Sequence, residues 1–229
     1  GQLKGWSLAK ALTPADVDAA LAGSPRVLLA TEGANFLEGQ PERVAQAHAW
    51  GVRHLQLIHF IQSPLGDRQT AEPLHGGLAP LGVTVVRECQ RLGMLVDLAH
   101  GTAALVDGVL DASDAVPVWS HSWISAQGGS WTDPSYIARS LSPASARKIA
   151  ARGGAVGLWT VRVSRDPAYP VHSPASYADE IVRMCELIGP EHVAFGTDME
   201  GAGPGPILSN YVDLREVADQ LMKRGLSEA

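Results

Sequence analysis

Six short apolar runs punctuate this chain, each closed by a polar or turn residue. They are VLLATE (27–32), LQLIH (55–59), MLVDLAH (94–100), PVWSH (117–121), AVGLWT (155–160) and HVAFGTD (192–198). Each has the length of a strand and is apolar almost throughout, the pattern of a strand covered on both faces. Amphipathic stretches separate them. Residues 83–92 align Val85, Val86, Cys89 and Leu92. Residues 176–188 align Tyr177, Ile181, Met184 and Leu187 or Ile188, and residues 213–222 align Leu214, Val217 and Leu221. Glycines at 51, 93, 153, 189 and 225 stand where helices need a residue that turns left-handed cheaply. TPADVDAALAG (13–23) predicts one more helix, with Thr13 as N-cap and Pro14 in the first turn. Strand–helix alternation of this kind predicts an α/β fold with a parallel sheet under helices. No GxGxxG or P-loop follows the first run, so a nucleotide-binding doubly wound sheet is disfavoured and a (β/α) barrel of the TIM type remains.

Such barrels carry their chemistry at the C-terminal ends of the strands, and titratable residues gather at the ends of these runs. Glu32 closes the first run, His59 the second, His100 the third, His121 the fourth and Asp198 the sixth. Strand side chains alternate, so Leu98, Val96 and Met94 share a face with His100, and Gly196 and Ala194 share one with Asp198. Imidazoles and carboxylates converging on one rim match the ligand preferences of zinc. A bound zinc ion lowers the pKa of its water to roughly 7, and a neighbouring carboxylate can move the proton. Each residue also has a plainer reading: a hydrogen-bonded structural histidine, or a carboxylate capping the next turn. Asp97, out of phase with His100, is expected to face the helices and bond either the backbone or a group behind the site. Trp119, Trp123 and Trp159 are expected as core or cleft wall, and His48, His54, His75, His172 and His192 as surface or loop residues.

Charge and hydropathy narrow the function class. A net charge of -6 opposes nucleic acid as the main partner. No apolar stretch is long enough to span a bilayer, and the first residues have no apolar core of the signal-peptide kind. Cys89 and Cys185 lie in helix-like segments without a CxxC partner, which reads as two small apolar residues rather than ligands or a disulfide. The expected compartment is the cytoplasm, with a secreted or periplasmic location left open.

Longer motifs extend the argument. GGLAPLGVTVVRECQRLGMLVDLAH (76–100), VPVWSHS (116–122), ATEG (30–33), WGVRHLQLIH (50–59) and FGTDMEG (195–201) together resemble, in order, the characteristic segments of the membrane or renal dipeptidase family, peptidase family M19. The resemblance implies a metal-dependent hydrolase of dipeptides or similar small amides. It implies that Glu32 bridges two zinc ions and that His100 and His121 complete the second zinc site. Asp198 binds or faces the first zinc and handles protons, and His59 contacts the substrate at the scissile carbonyl. Arg139, four residues before Pro143, is the best match for the residue that binds the substrate carboxylate. A homodimer is implied on the same ground.

The chain also departs from the pattern. It contains no His-x-Asp, the family's ligand pair on its first strand, and Glu200 stands where the family has aspartate. Six strand candidates fall short of the roughly eight in a closed barrel. The expectation is therefore a single (β/α) barrel domain over residues 1–229, incomplete in this chain and lacking the family's first and last strands, with one or two zinc ions. Two alternatives stand beside dipeptide hydrolysis: a metal-binding homologue that has lost catalysis, and a related amidohydrolase acting on another small substrate.

Overall fold

Helix boundaries in the computed structural model follow the capping chemistry of the sequence. The structure describes residues 8–163, 169–199, 201 and 205–227; Glu200 lies outside them. They divide into two compact units, residues 1–68 with 73–116 and residues 69–72 with 117–229, within the described limits.

The first unit runs β1 (Ala9–Lys10), α1 (Pro14–Leu21), β2 (Arg26–Val27), β3 (Leu29–Thr31), α2 (Arg43–Ala49), β4 (Val52–Gln56), α3 (Pro80–Leu92), β5 (Leu95–Asp97) and α4 (Ala103–Ala112). Thr13 starts α1 through a reciprocal cap. Its Oγ1 accepts from the Asp16 N–H, and the Asp16 carboxylate accepts from the Thr13 N–H at 2.9 Å. Pro14 then occupies the first turn, where no N–H is needed. Helix α3 likewise opens on Pro80 and ends at Gly93, left-handed at φ 66°. It buries Val85, Val86 and Cys89, the face predicted from periodicity.

Strands β3, β4 and β5 are parallel, with Thr31 beside Leu55 and Gln56 beside Asp97. Leu55 and Val96 are fully buried, as covered parallel strands require. The short β1 pairs in parallel with β2, an element the sequence did not announce.

The second unit runs β6 (Pro117–Ser122), α5 (Ser135–Ala138), α6 (Pro143–Ala151), β7 (Ala155–Trp159), α7 (Pro174–Ile188), β8 (Val193–Gly196) and α8 (Leu214–Lys223). Its three strands are again parallel and pair in chain order, β6 with β7 and β7 with β8. Helix α7 begins at Ser173, whose Oγ accepts from the Ser176 N–H, and buries Tyr177, Ile181, Met184 and Ile188. Gly157 in β7 has a steric reason to be glycine: a Cβ there would collide with the Ser120 carbonyl oxygen of β6. Of the two small residues that share a face with Asp198, Gly196 is buried and Ala194 is exposed on β8.

Each unit is thus an α/β layer with its strands parallel, as the alternation of runs and helices predicts. No described helix is long and apolar enough to cross a membrane.

Candidate metal and substrate site

In the first unit β3, β4 and β5 deliver one polar residue each, just past their ends. Glu32 directly follows β3, His59 comes three residues after β4, and His100 comes three residues after β5. Glu32 Oε1 lies 3.3 Å from His59 Nε2 and 3.7 Å from His100 Nε2. The two imidazoles meet edge to face with centroids 4.6 Å apart, and Phe60 packs against both. His100 is buried, whereas the Glu32 side chain is 43% exposed. A carboxylate facing two imidazole nitrogens, one of them sealed from water, is a nitrogen–oxygen donor set that fits zinc.

The backbone is specialised at these positions. His100 has φ 69°, a left-handed conformation uncommon for any residue but glycine. Such positions cost free energy and collect where function needs a particular side-chain direction. Gly33 follows Glu32 at φ 83°, and a Cβ there would stand 3.0 Å from His59 Cβ, so glycine both permits the turn and admits His59.

Buried polar residues brace the same strand ends. Asp97 Oδ1 accepts from the Ala99 N–H at 3.0 Å, and Asp97 Oδ2 lies 3.1 Å from His54 Nε2. The expectation that Asp97 bonds backbone is met. His54 departs from the surface or loop position expected of it: it sits on β4 beside Asp97, because a largely buried histidine is accommodated more cheaply with a carboxylate partner.

In the second unit three further candidates collect around one aromatic ring. The Trp159 indole N–H donates to Asp198 Oδ2 at 3.0 Å. The Arg139 guanidinium carbon lies 5.2 Å from the centroid of the same ring, a cation–π contact. The His121 ring lies 6.0 Å from it. His121 Nδ1 is 2.7 Å from Ser120 Oγ, and its carbonyl oxygen accepts from Arg139 Nη2 at 3.3 Å. Arg139 is held at the other end too, because the Ser122 hydroxyl donates to its carbonyl oxygen. Arg139 and His121 are buried. Asp198, like His100, takes a positive φ, 47°.

The site residues singled out from the sequence thus ride on both units: Glu32, His59 and His100 on the first, and His121, Arg139 and Asp198 on the second. Trp159 is more than the core or cleft wall that the sequence suggests: tertiary contact makes it hold Asp198 and carry Arg139. Trp119 is fully buried core, and Trp123 packs edge-on against Tyr169 with centroids 5.2 Å apart.

Comparison with known proteins gives the family and the fold. The model of the membrane dipeptidase family, peptidase family M19, matches residues 5–229. The chain is 31% identical over 211 residues to dipeptidase aclJ of Aspergillus oryzae, covering 87% of this chain and 46% of that protein. It is 28% identical over 208 residues to dipeptidase verJ of Clonostachys rogersoniana, covering 88% of this chain and 50% of that protein. The chain thus spans about half the length of the curated relatives it matches.

Among solved structures, the probable dipeptidase PvdM from Pseudomonas aeruginosa superposes with a TM-score of 0.83 at 18% identity, over 96% of this chain and 69% of that one. A metallo peptidase from Rhodobacter sphaeroides, liganded with a phosphinate mimic of the dipeptide L-Ala-D-Ala, superposes with a TM-score of 0.80 at 21% identity, over 96% of this chain and 64% of that one. These likenesses establish the fold as the TIM-barrel-like α/β architecture of M19 dipeptidases, in line with the fold class read from the sequence.

Proposed function

Because the chain belongs to the membrane dipeptidase family, peptidase family M19, we propose that it hydrolyses dipeptides or similar small amides with the help of bound metal. The observation that carries this reading is the meeting of Glu32 with His59 and His100 at the ends of three parallel strands. Glu32, His100, His121 and Asp198 are the proposed metal-site residues, and zinc, one or two ions, is the proposed metal. Bound there, zinc would supply a Lewis acid for the scissile carbonyl and a nucleophile near neutral pH.

The chain's own residues then divide the remaining work. The His59 imidazole, hinged beside Glu32 and half-exposed, donates a hydrogen bond to the carbonyl oxygen as charge develops on it. The Asp198 carboxylate, aimed by the Trp159 N–H, takes a proton from the attacking water and returns it to the leaving amine. Arg139 offers a planar, permanently charged fork to the substrate carboxylate, and the Trp159 ring beneath it fixes the plane of that fork. A single (β/α) barrel domain, a homodimer and a cytoplasmic setting belong to the same proposal; two free cysteines fit a reducing compartment.

The test is turnover of a dipeptide panel by the zinc-loaded protein, with and without a chelator. Cleavage that disappears on chelation and returns with zinc supports the reading, and inactivity of the loaded protein toward the whole panel overturns it. Arg139→Lys adds a finer arm. It raises KM for dipeptides about tenfold or more, because an ammonium cannot reproduce the fork, and leaves KM for C-terminally amidated dipeptides unchanged. A second reading is a homologue that binds metal without hydrolysing. One zinc per chain with no turnover would select it.

A further inference from the structure

The ladder between β4 and β5 ends at the pair Gln56 and Asp97, and each strand reaches its histidine three residues later, at His59 and His100. Between the ladder and the histidines one side chain does the joining. Gln56 Nε2 donates to the carbonyl oxygen of Ile58 at 2.8 Å and to that of Ala99 at 3.2 Å. These are the residues immediately before His59 and His100. Both acceptors are carbonyl oxygens, so the amide nitrogen must face them; the flipped amide would set oxygen against oxygen. Gln56, Ile58 and Ala99 are all buried, at 2%, 1% and 0% exposure, so water offers no substitute donor.

We infer that Gln56 is a positioning residue that sets His59 and His100 in register with each other across the face of Glu32. Its two amide protons continue the strand ladder by one rung after the backbone has stopped supplying one. That rung is needed because His100 sits at φ 69°, a conformation its own preferences do not hold. The Ala99 N–H is tied down by Asp97 Oδ1 and the Ala99 carbonyl by Gln56, so the peptide leading into His100 is gripped on both sides. On the His59 side the Leu57 N–H donates to the Asp97 carbonyl oxygen at 3.1 Å, and Gln56 holds the next carbonyl along. A glutamine in a strand whose neighbours Leu55 and Leu57 are buried apolar residues has no packing reason to be polar. The inference rests on the proposed reading of Glu32 and His100 as metal ligands.

The test uses zinc alone, with no substrate. Zinc affinity is measured by competition with a chromogenic chelator for the wild-type chain, Gln56→Met and Asp67→Asn, beside metal-free thermal melts. Gln56→Met keeps length and volume but has no donor. It should weaken zinc about 10–100-fold, the usual cost of losing a group that orients a ligand. Asp67→Asn is the control for general destabilisation in the same unit: it should lower the metal-free melt and leave zinc affinity within twofold of wild type. Should Gln56→Met not melt cooperatively, Gln56→Asn, whose amide is one methylene too short to reach both carbonyls, is judged by the same criterion. Zinc affinity unchanged in the Gln56 variant overturns the inference alone. Equal weakening in Gln56→Met and Asp67→Asn overturns it too, by reducing Gln56 to ordinary stability. A wild-type chain that binds no zinc overturns this inference and the proposed metal reading together.

Discussion

The indole N–H of Trp159 points at Asp198 Oδ2 from 3.0 Å, while Arg139 lies over the face of the same ring. One side chain thereby orients the carboxylate proposed to move protons and the cation proposed to hold the substrate. Trp159→Phe separates the two roles, because phenylalanine keeps a ring under Arg139 and loses the donor. A hydrogen bond to a charged group is worth about 1.5–3 kcal/mol. The variant should therefore lose about 10- to 100-fold in kcat on a dipeptide, with KM within about twofold. Steady-state kinetics on the zinc-loaded protein reads both; a raised KM at unchanged kcat would contradict the assignment.

Metal removal should lower thermal stability as well as activity. Any ligand that binds only the folded state stabilises it by mass action, about 2.7 kcal/mol at a free concentration one hundred times Kd. Zinc should therefore raise the melting temperature of the wild-type chain. Glu32→Gln and His100→Ala should each abolish most of that rise, since each deletes one of the proposed donors beside His59. Calorimetry with and without zinc checks this, and a full rise in His100→Ala would remove His100 from the site.

Asp67 makes the loop after His59 sensitive to acid. Burial raises its pKa, but backbone N–H groups of Leu74, Gly77 and His75 bond the carboxylate and outweigh burial, leaving it below the ordinary 3.8. A group depressed in the folded state stabilises above its unfolded pKa and loses that contribution as pH falls through the folded value. Asp67→Asn should cost about 1.5–3 kcal/mol at neutral pH. The gap between wild type and variant should then close as pH falls below the ordinary 3.8 and through the depressed folded value. Denaturant titrations across that range measure it; a gap independent of pH would contradict the account.

Cys89 should be inert. It is fully buried in α3, and burial pushes its thiol up to about 12, with Glu88 adding to the rise. The thiolate is the reactive form. Thiol reagents at pH 8 should therefore leave Cys89 unlabelled in the folded chain and label both cysteines after denaturation. Peptide mass mapping distinguishes Cys89 from Cys185.

The strands, the helices and the candidate residues were legible in the sequence because they rest on local rules. A covered parallel strand is apolar along most of its length, a packed α-helix shows one apolar stripe, and Thr13–Pro14 supplies an N-cap followed by a first-turn proline. Placing Glu32, His59, His100, His121 and Asp198 at run ends needed only counting, and the motifs around them supplied the family. Arg139 came from the motif alone, since nothing local in residues 135–143 marks it.

Relationships between strands stayed out of reach, because they depend on register. Gln56 reads as an anomaly in an apolar run until β5 is set beside β4 and Ala99 comes within reach of its amide. His54 was expected on the surface because its partner, Asp97, is 43 residues away in sequence and only a shared sheet brings them to 3.1 Å. Trp159 looked like a wall residue because its polar edge matters only once β8 has delivered Asp198 to it. The left-handed turns at His100 and Asp198 are likewise tertiary. Histidine and aspartate tolerate that region better than most residues but seldom adopt it unaided, so the packing of the strand ends has to hold them there. By itself the sequence determined which side chains are available and on which elements they ride. The tertiary structure decided which of them meet, because contact across a sheet is set by strand register and long-range packing rather than by separation along the chain.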